Sequence, residues 1–317
     1  MENTFQIEKG VLVKYNGTQS DVIVPDGVVE IGEFAFIGKR SLRSVILPDS
    51  IKTICQSAFS MCRNLKTVVC YGVETIGCHA FYDCRRLQTI SLPDTLVRIE
   101  GYAFSLCGSL EMIDLPNNVK YIGKAAFTEC RKLNKITIPD SVDEIGEMTF
   151  LNCKKLYSVS LPNNIKSIQS ETFRGCVKLT DIVLPEGISS IGEMAFFNCA
   201  GLQSIKIPNN VSIMEQGAFC ECKNLQSITL PKSIETIDQD VFSGCKKLNS
   251  ITIPERVNMI KVCSFYGCSN LQKVVISKKS TVIDRGFGLC KNLIIFAPVG
   301  SFAEQYAKEY NIKFEAI

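Results

Sequence analysis

The feature that most constrains the fold of this chain is a phrase that recurs along it with a period of 23 residues. The phrase, I-x-x-x-A-F-x-x-C-x-x-L-x-x-I-x-L-P, can be followed from Ile31 to Ile283. Nine of the ten steps in its phenylalanine column are 23 residues, and the step from Phe59 to Phe81 is 22. A strict repeat of this length predicts a solenoid, in which each unit buries its apolar face only against its neighbours.

Three columns of apolar residues define the predicted core. The phenylalanines are Phe36, Phe59, Phe81, Phe104, Phe127, Phe150, Phe173, Phe196, Phe219, Phe242 and Phe265. The leucines follow six residues later, from Leu42 to Leu271. Of the 16 cysteines, 11 fall in the column three residues after the phenylalanine, beginning at Cys62. Because free cysteine packs as a small hydrophobe, we expect a ladder of buried thiols rather than disulfides or a metal site.

Each repeat reads as two short extended segments joined by turns. In the L-x-x-I-x-L-P segment, apolar residues alternate as in a strand, for example Ile136 and Ile138, and proline then ends the ladder. Pairs such as Asn117-Asn118 supply turn chemistry, and the A-F-x-x-C-x-x-L stretch fits a short helical or 3₁₀ turn. Stacking places like strands in parallel, which predicts a right-handed solenoid of 11–12 repeats.

Both ends of the array carry cap-like segments. Two extended segments flank Lys9-Gly10, which predicts a β-hairpin cap within residues 1–30. The array itself is expected to occupy residues 31–297. Ser301 and Glu304 have the spacing of a capping box, which predicts a helical cap within residues 298–317 that buries Phe302, Tyr306 and Tyr310.

The repeat phrase, as it stands from Ile122 to Pro139, closely resembles the BspA-type leucine-rich repeat, also called Treponema pallidum-type. The resemblance extends over residues 5–317 and implies a leucine-rich-repeat fold. Relatives of this type are often bacterial or protozoan surface proteins implicated in adhesion. The resemblance therefore implies a non-enzymatic interaction scaffold that binds through its exposed sheet face, with a protein or a cell-surface glycan as the partner.

The residues two and four positions after the leucine are expected to form that exposed face. Most are Ser or Thr, which suit an exposed strand whether or not anything binds there. Five members depart from this pattern and are the predicted partner-binding residues: Met112, Asp114, Lys135, Asp181 and Lys206.

A second candidate surface is the basic ridge, the pair of residues between the cysteine and the leucine of each repeat. Its predicted polyanion-binding members are Arg85, Arg86, Arg131, Lys132, Lys154 and Lys155. A line of cations could follow a sulfated glycan or a nucleic acid, although the ridge lacks the aromatic residues that stack on bases, which makes nucleic acid unlikely. The other interpretation is a solvated turn column.

Other function classes have little support in the sequence. With one histidine, His79, and no motif spacing for a nucleophile, a phosphate loop or a dinucleotide site, we predict no enzyme, no cofactor and no metal. No apolar run is long enough for a membrane span. The first ten residues do not resemble a secretory signal, and cysteine usage favours the cytoplasm, whereas the family resemblance favours the cell surface.

Overall fold

The computed structural model describes residues 4–317, which contain short β-strands and one helix. The chain forms two compact units, the first ending at Asn164 and the second running from Ile165 to Ile317. In each unit, two short strands per repeat pair in parallel with the equivalent strands of neighbouring repeats. The fold class is therefore the predicted one, a leucine-rich-repeat-like parallel solenoid.

The first unit begins with an antiparallel hairpin of strands β1 (Phe5–Glu8) and β2 (Val11–Tyr15). The turn residues Lys9 and Gly10 have φ angles of 49° and 81°. Both are left-handed, as a two-residue type I′ turn requires. Strand β2 also pairs in parallel with the first short strand of the repeats, so the hairpin is continuous with the stack.

Two series of strands follow in the first unit. The short strands that precede the A-F turn, here called second strands, are β4 (Glu30–Ile31), β6 (Thr53–Ile54), β8 (Thr75–Ile76), β10 (Arg98–Ile99), β11 (Tyr121–Ile122) and β13 (Glu144–Ile145). The strands that follow the leucine column, here called main strands, are β3 (Asp21–Ile23), β5 (Ser44–Leu47), β7 (Thr67–Cys70), β9 (Thr89–Ser91), β12 (Lys135–Thr137) and β14 (Ser158–Ser160). The outward side of the main strands is the sheet face.

The second unit repeats this arrangement. Its second strands are β15 (Ser167–Ile168), β17 (Ser190–Ile191), β19 (Ile213–Met214), β21 (Thr236–Ile237), β23 (Met259–Ile260) and β25 (Val282–Ile283). Its main strands are β16 (Asp181–Ile182), β18 (Ser204–Lys206), β20 (Ser227–Thr229), β22 (Ser250–Ile253), β24 (Lys273–Ile276) and β26 (Ile294–Ala297). Side chains alternate between core and solvent, as Ile251 and Thr252 show, because successive residues of a strand point to opposite faces.

The turn between the two strands contains two left-handed residues per repeat and is not continued as a helix. Tyr102 and Leu106, for example, have φ of 58° and 63°. Their N–H groups donate to the next repeat, at the carbonyls of Lys124 (2.8 Å) and Thr128 (2.9 Å). These inter-repeat bonds offset the steric cost of the left-handed backbone. The expected 3₁₀ character survives only as isolated bonds between residues three apart, such as Cys107 N–H to the Phe104 carbonyl.

The phenylalanine column is a continuous stack of buried rings within each unit. From Tyr15 to Phe150 in the first unit, neighbouring centroids lie 4.7–5.8 Å apart, and from Phe173 to Phe287 in the second they lie 5.0–5.8 Å apart. Rings at this separation gain dispersion and aromatic contact beyond simple burial. The column is the largest apolar group that every repeat contributes to the core.

The predicted column of buried thiols is confirmed, and it has a specific partner. The Cys107 Sγ donates to the Phe81 carbonyl of the preceding repeat at 3.2 Å, and the same contact recurs along the column at 2.9–3.2 Å. Each of these carbonyls also accepts an N–H bond from within its own turn, so both lone pairs are used. Burial raises the pKa of the Cys62 thiol to about 12 and raises that of Cys130 further.

The C-terminal segment contains helix α1 (Phe302–Glu309) and strand β27 (Lys313–Ala316), which pairs in parallel with β26. Ser301 caps the helix by accepting the Glu304 N–H at 3.2 Å, as its spacing predicts. The helix buries Ala303, Tyr306 and Ala307. The prediction that Phe302 and Tyr310 are buried with Tyr306 is wrong, because these rings are 48% and 43% exposed.

We expect replacement of a mid-column ring to destabilise the fold strongly. Phe127→Ala removes a fully buried ring that stacks on Phe104 and Phe150. It should lower the free energy of unfolding by about 3–5 kcal/mol, measured by urea denaturation. A loss below about 1 kcal/mol would show that the column does not carry the core; Phe302→Ala on the exposed side of α1 is the matched control.

Thiol alkylation should separate the column from the exposed cysteine. In the folded protein Cys78 is exposed and should react quickly with iodoacetamide, whereas Cys107 and Cys130 are buried with raised pKa values and should react slowly. In denaturant without reductant all 16 cysteines should be labelled, because all are free. Mass spectrometry reads both numbers, and labelling of Cys130 at the rate of Cys78 would contradict the buried column.

Candidate binding site on the sheet face

The sheet face of the first unit is interrupted at one repeat. Residues 111–115 occupy the place of a main strand but form none, whereas β9 before them and β12 after them are regular. Asp114 stands where the neighbouring repeats have Ser91 and Thr137. Aspartate is depleted in strands, whereas threonine is favoured there. Within residues 4–317, the backbone N–H groups of 112–114 donate no hydrogen bond to the protein. The interruption leaves main-chain donors unused on an exposed face.

Two depressions flank the interruption. The one toward β9 has a volume of about 660 Å³ and is lined by Thr89, Ser91, Met112 and Asp114 among others. The one toward β12 has a volume of about 310 Å³ and is lined by Met112, Asp114 and Lys135. Met112 and Asp114 therefore border both depressions. We call this region, residues 111–115 with Lys135, the interrupted-repeat site.

The side chains of the interrupted-repeat site are exposed and chemically mixed. Met112 is 64% exposed, and the Asp114 and Lys135 side chains are exposed as well. Neither charge lies within ion-pair distance of a protein partner in the described part of the chain. Beneath them, Ile113 and Ile136 are buried and hold the backbone to the core. The site combines a flexible apolar side chain with two unpaired charges of opposite sign.

The sequence predicts five partner-binding residues on the sheet face, and the structure brings three of them together at the interrupted-repeat site. Met112, Asp114 and Lys135 border one region of the first unit. Asp181 and Lys206 belong to the second unit, where both are exposed. The Lys206 ammonium contacts the Glu186 carboxylate at 2.7 Å, so its charge already has a partner.

Two lining residues were missed by the sequence analysis. Glu111 and Asn134 also border the larger depression, and each directly follows a leucine of the repeat. The column one position after the leucine was not considered, although it faces solvent in most repeats. Treating it as part of the exposed face would have found both residues.

The basic ridge is partly neutralised by acids, two of which, Asp83 and Glu129, directly precede the cysteine of their repeat. The Asp83 carboxylate, whose side chain is 4% exposed, contacts Arg63 at 2.7 Å and Arg85 at 2.6 Å. Arg131 contacts Glu129 at 2.6 Å. The Lys132 ammonium contacts Glu111 at 3.1 Å.

The remaining predicted ridge cations, Arg86, Lys154 and Lys155, are exposed and have no ion-pair partner in the described chain. The ridge therefore alternates paired and unpaired cations instead of forming an uninterrupted positive line. The acids that pair with it could have been identified in the sequence at the residue before the cysteine, as at Asp83 and Glu129.

The single histidine is part of a packing cluster. The His79 ring stacks on Tyr102 at 4.8 Å and meets the edge of Tyr82 at 5.4 Å, and burial lowers its pKa. In residues 4–317, no group of three or more His, Cys, Asp or Glu side chains is placed to hold a metal ion. The same part of the chain has no helix with the length and hydropathy of a membrane span.

Comparison with known proteins identifies a repeat family and solved structures that this chain resembles. A model of the BspA type leucine rich repeat region matches six copies, over residues 14–75, 74–199 and 166–294. No curated protein sequence matches the chain. A crystal structure of a leucine-rich repeat protein from Bacteroides ovatus is 27% identical, with a TM-score of 0.67, and the match covers 99% of this chain and 97% of that one.

Two further solved structures share the fold at lower identity. A leucine rich cell surface protein from Faecalibacterium prausnitzii is 24% identical with a TM-score of 0.54, covering 96% of this chain and 94% of that one. The pneumococcal vaccine antigen PcpA is 15% identical with a TM-score of 0.56, covering 100% and 98%. Together with the repeat phrase, the buried columns and the parallel strands, the matched family region shows that this chain belongs to the BspA-type leucine-rich-repeat family.

Proposed function

We propose that this chain is a non-enzymatic, adhesion-like interaction scaffold that binds a protein partner at the interrupted-repeat site. The observation that carries the proposal is the break in the main strands at residues 111–115, which leaves backbone donors without a protein acceptor beside two depressions. Elsewhere in the first unit the main strands use their backbone groups to stack repeats. A binding site needs groups that the stack does not use, and this repeat supplies them.

The chemistry of the site favours a polypeptide over other partners. Met112 offers a flexible, polarisable side chain of the kind used at adaptable protein interfaces. Asp114 and Lys135 can each pair with an opposite charge on the partner, and the free N–H groups can donate to main-chain carbonyls. Similarity to a cell surface protein and to a vaccine antigen supports a role in surface contact.

A peptide selection tests this proposal. Peptides from a displayed random library, enriched on the wild-type chain, should bind the Met112→Ser/Asp114→Ser/Lys135→Ser variant about tenfold or more weakly, a loss of about 1.4 kcal/mol or more. The matched control is Val97→Ser/Lys120→Ser/Glu144→Ser, which removes the same three chemistries from other exposed positions of this unit. Binding is measured by surface plasmon resonance.

The control variant should bind the selected peptides as the wild type does. If the enriched peptides bind the triple site variant within about twofold of wild type, the interrupted-repeat site is not the interaction surface. Circular dichroism melts of both variants establish that each is folded, which we expect because all six side chains are at the surface.

The polyanion alternative predicts retention on heparin through Arg86, Lys154 and Lys155, the unpaired cations of the ridge. The ion pairs at Arg85, Arg131 and Lys132 reduce the field available to such a ligand. We therefore expect elution from heparin below about 0.15 M salt. Retention well above that concentration, lost in the Arg86→Ser/Lys154→Ser/Lys155→Ser variant, would favour the polyanion function instead.

A further inference from the structure

The sheet face of the second unit carries an ordered column of side-chain amides. Gln203, Gln226, Asn249 and Gln272 each directly follow the leucine of their repeat, and all four are exposed. Backbone bonds place them on consecutive repeats: Gln226 N–H donates to the Gln203 carbonyl at 2.9 Å, and Gln272 N–H donates to the Asn249 carbonyl at 2.8 Å. The amides therefore recur at about 4.8 Å, the spacing of paired strands.

A hydroxyl column runs beside the amides. Ser204 pairs in register with Ser227 on β18 and β20, and Ser250 holds the same position on β22. Thr229 and Thr252 form a further column two residues along, and all of these side chains are exposed. Three consecutive repeats thus present an amide and a hydroxyl at fixed positions.

None of these amides and hydroxyls makes a side-chain hydrogen bond within residues 4–317. The same unit also contains amides that do have a structural role. Asn210 and Asn224 donate to carbonyls of the preceding repeat, Glu186 at 3.0 Å and Ala200 at 2.6 Å. The unit therefore has two kinds of amide, one that joins repeats and one that faces solvent without an internal partner.

The part of the sheet face that carries these columns is also nearly free of charge. At the positions one, two and four residues after the leucine, the three repeats from Gln203 to Thr252 have one charged side chain, Lys206, and its ammonium is paired with Glu186. At the end of the array the Lys273 ammonium lies 4.8 Å from the centre of the Phe296 ring. A charged ligand gains little here, whereas a ligand rich in hydroxyl groups can both donate to and accept from every amide.

From this placement we propose that the amide and hydroxyl columns of the second unit bind a neutral, extended polysaccharide whose chain runs along the stack of repeats. The repeat spacing is close to the length of one sugar ring in an extended β-linked chain, so each repeat can meet one sugar. An amide can engage two adjacent sugar hydroxyls, one by donation and one by acceptance. Regular spacing then makes many weak contacts act together along one ligand.

Affinity electrophoresis tests the proposal on the full chain. Native gels containing hydroxyethylcellulose, barley β-glucan or galactomannan should retard the wild type. Gln226→Ala/Asn249→Ala should reduce the retardation about fivefold or more. Asn209→Ala/Asn292→Ala, which removes two exposed amides outside these columns, is the matched control and should be retarded as the wild type is.

Two further readouts separate this proposal from its competitors. Retardation should be unchanged between about 0.05 and 0.5 M salt, since no charge takes part. The double variant should melt at the wild-type temperature, because the replaced amides have no internal partner. Absence of retardation by all three polysaccharides, or equal retardation of the wild type and the double variant, would overturn the proposal. Peptide binding in the first unit is measured separately, so either result leaves the other interpretable.

Discussion

The fold depends on contacts between neighbouring repeats, above all on the carbonyl of the repeat phenylalanine. That oxygen accepts an N–H bond from its own turn and a thiol hydrogen bond from the next repeat, as at Phe81 with Cys84 and Cys107. The ring on the same residue stacks on the rings before and after it. One residue thus closes the turn, joins two repeats and fills the core. Cysteine suits the position that contacts this carbonyl from the next repeat, because its thiol is small and apolar and can still donate a hydrogen bond.

Because the repeat residues each make several structural contacts, they limit where a binding site can lie. Residues that join repeats cannot change without affecting their neighbours, so recognition falls to side chains and backbone groups that stacking leaves unused. The first unit provides such groups by interrupting a strand around Met112 and Asp114. The second provides them by repeating an unpaired amide, as at Gln226 and Asn249. The two surfaces differ in chemistry, one mixed and irregular, the other neutral and periodic.

Much of the fold could be predicted from the sequence because the repeat states each structural requirement many times. The buried columns, the alternating strands, the turn at Lys9-Gly10 and the cap at Ser301 all depend on local spacing. Phe302 was misplaced because a helical stripe was assumed to include it, whereas the small Ala303 and Ala307 face the core beside Tyr306. Columns in which the same residue type recurs were predicted correctly, whereas positions at which the residue type varies were predicted less well.

The left-handed turn residues could not be predicted, since their side chains range from Phe34 to Asp240 and only an inter-repeat bond explains the conformation. The ion pairs of the ridge cations join different columns of the repeat, which were considered one at a time in the sequence. Asp83, for example, pairs with Arg85 two residues later and with Arg63 of the preceding repeat.

The candidate site was only partly predictable. Met112, Asp114 and Lys135 were recognised as departures from the phrase, but the loss of the strand follows from how one repeat fits between two others. Sequence pattern identifies which positions are unusual, and packing determines what an unusual position does to the backbone.

Amide hydrogen exchange, resolved to single residues by mass spectrometry, tests the central claim most directly. If the main strands are interrupted at this repeat, the N–H groups of Met112, Ile113 and Asp114 exchange rapidly, because they have no acceptor in the protein. The N–H of Ile138 donates to the Ser160 carbonyl at 2.9 Å, in a regular part of the same unit, and should exchange much more slowly. Equal protection at Ile113 and Ile138 would show an uninterrupted sheet and would contradict the account.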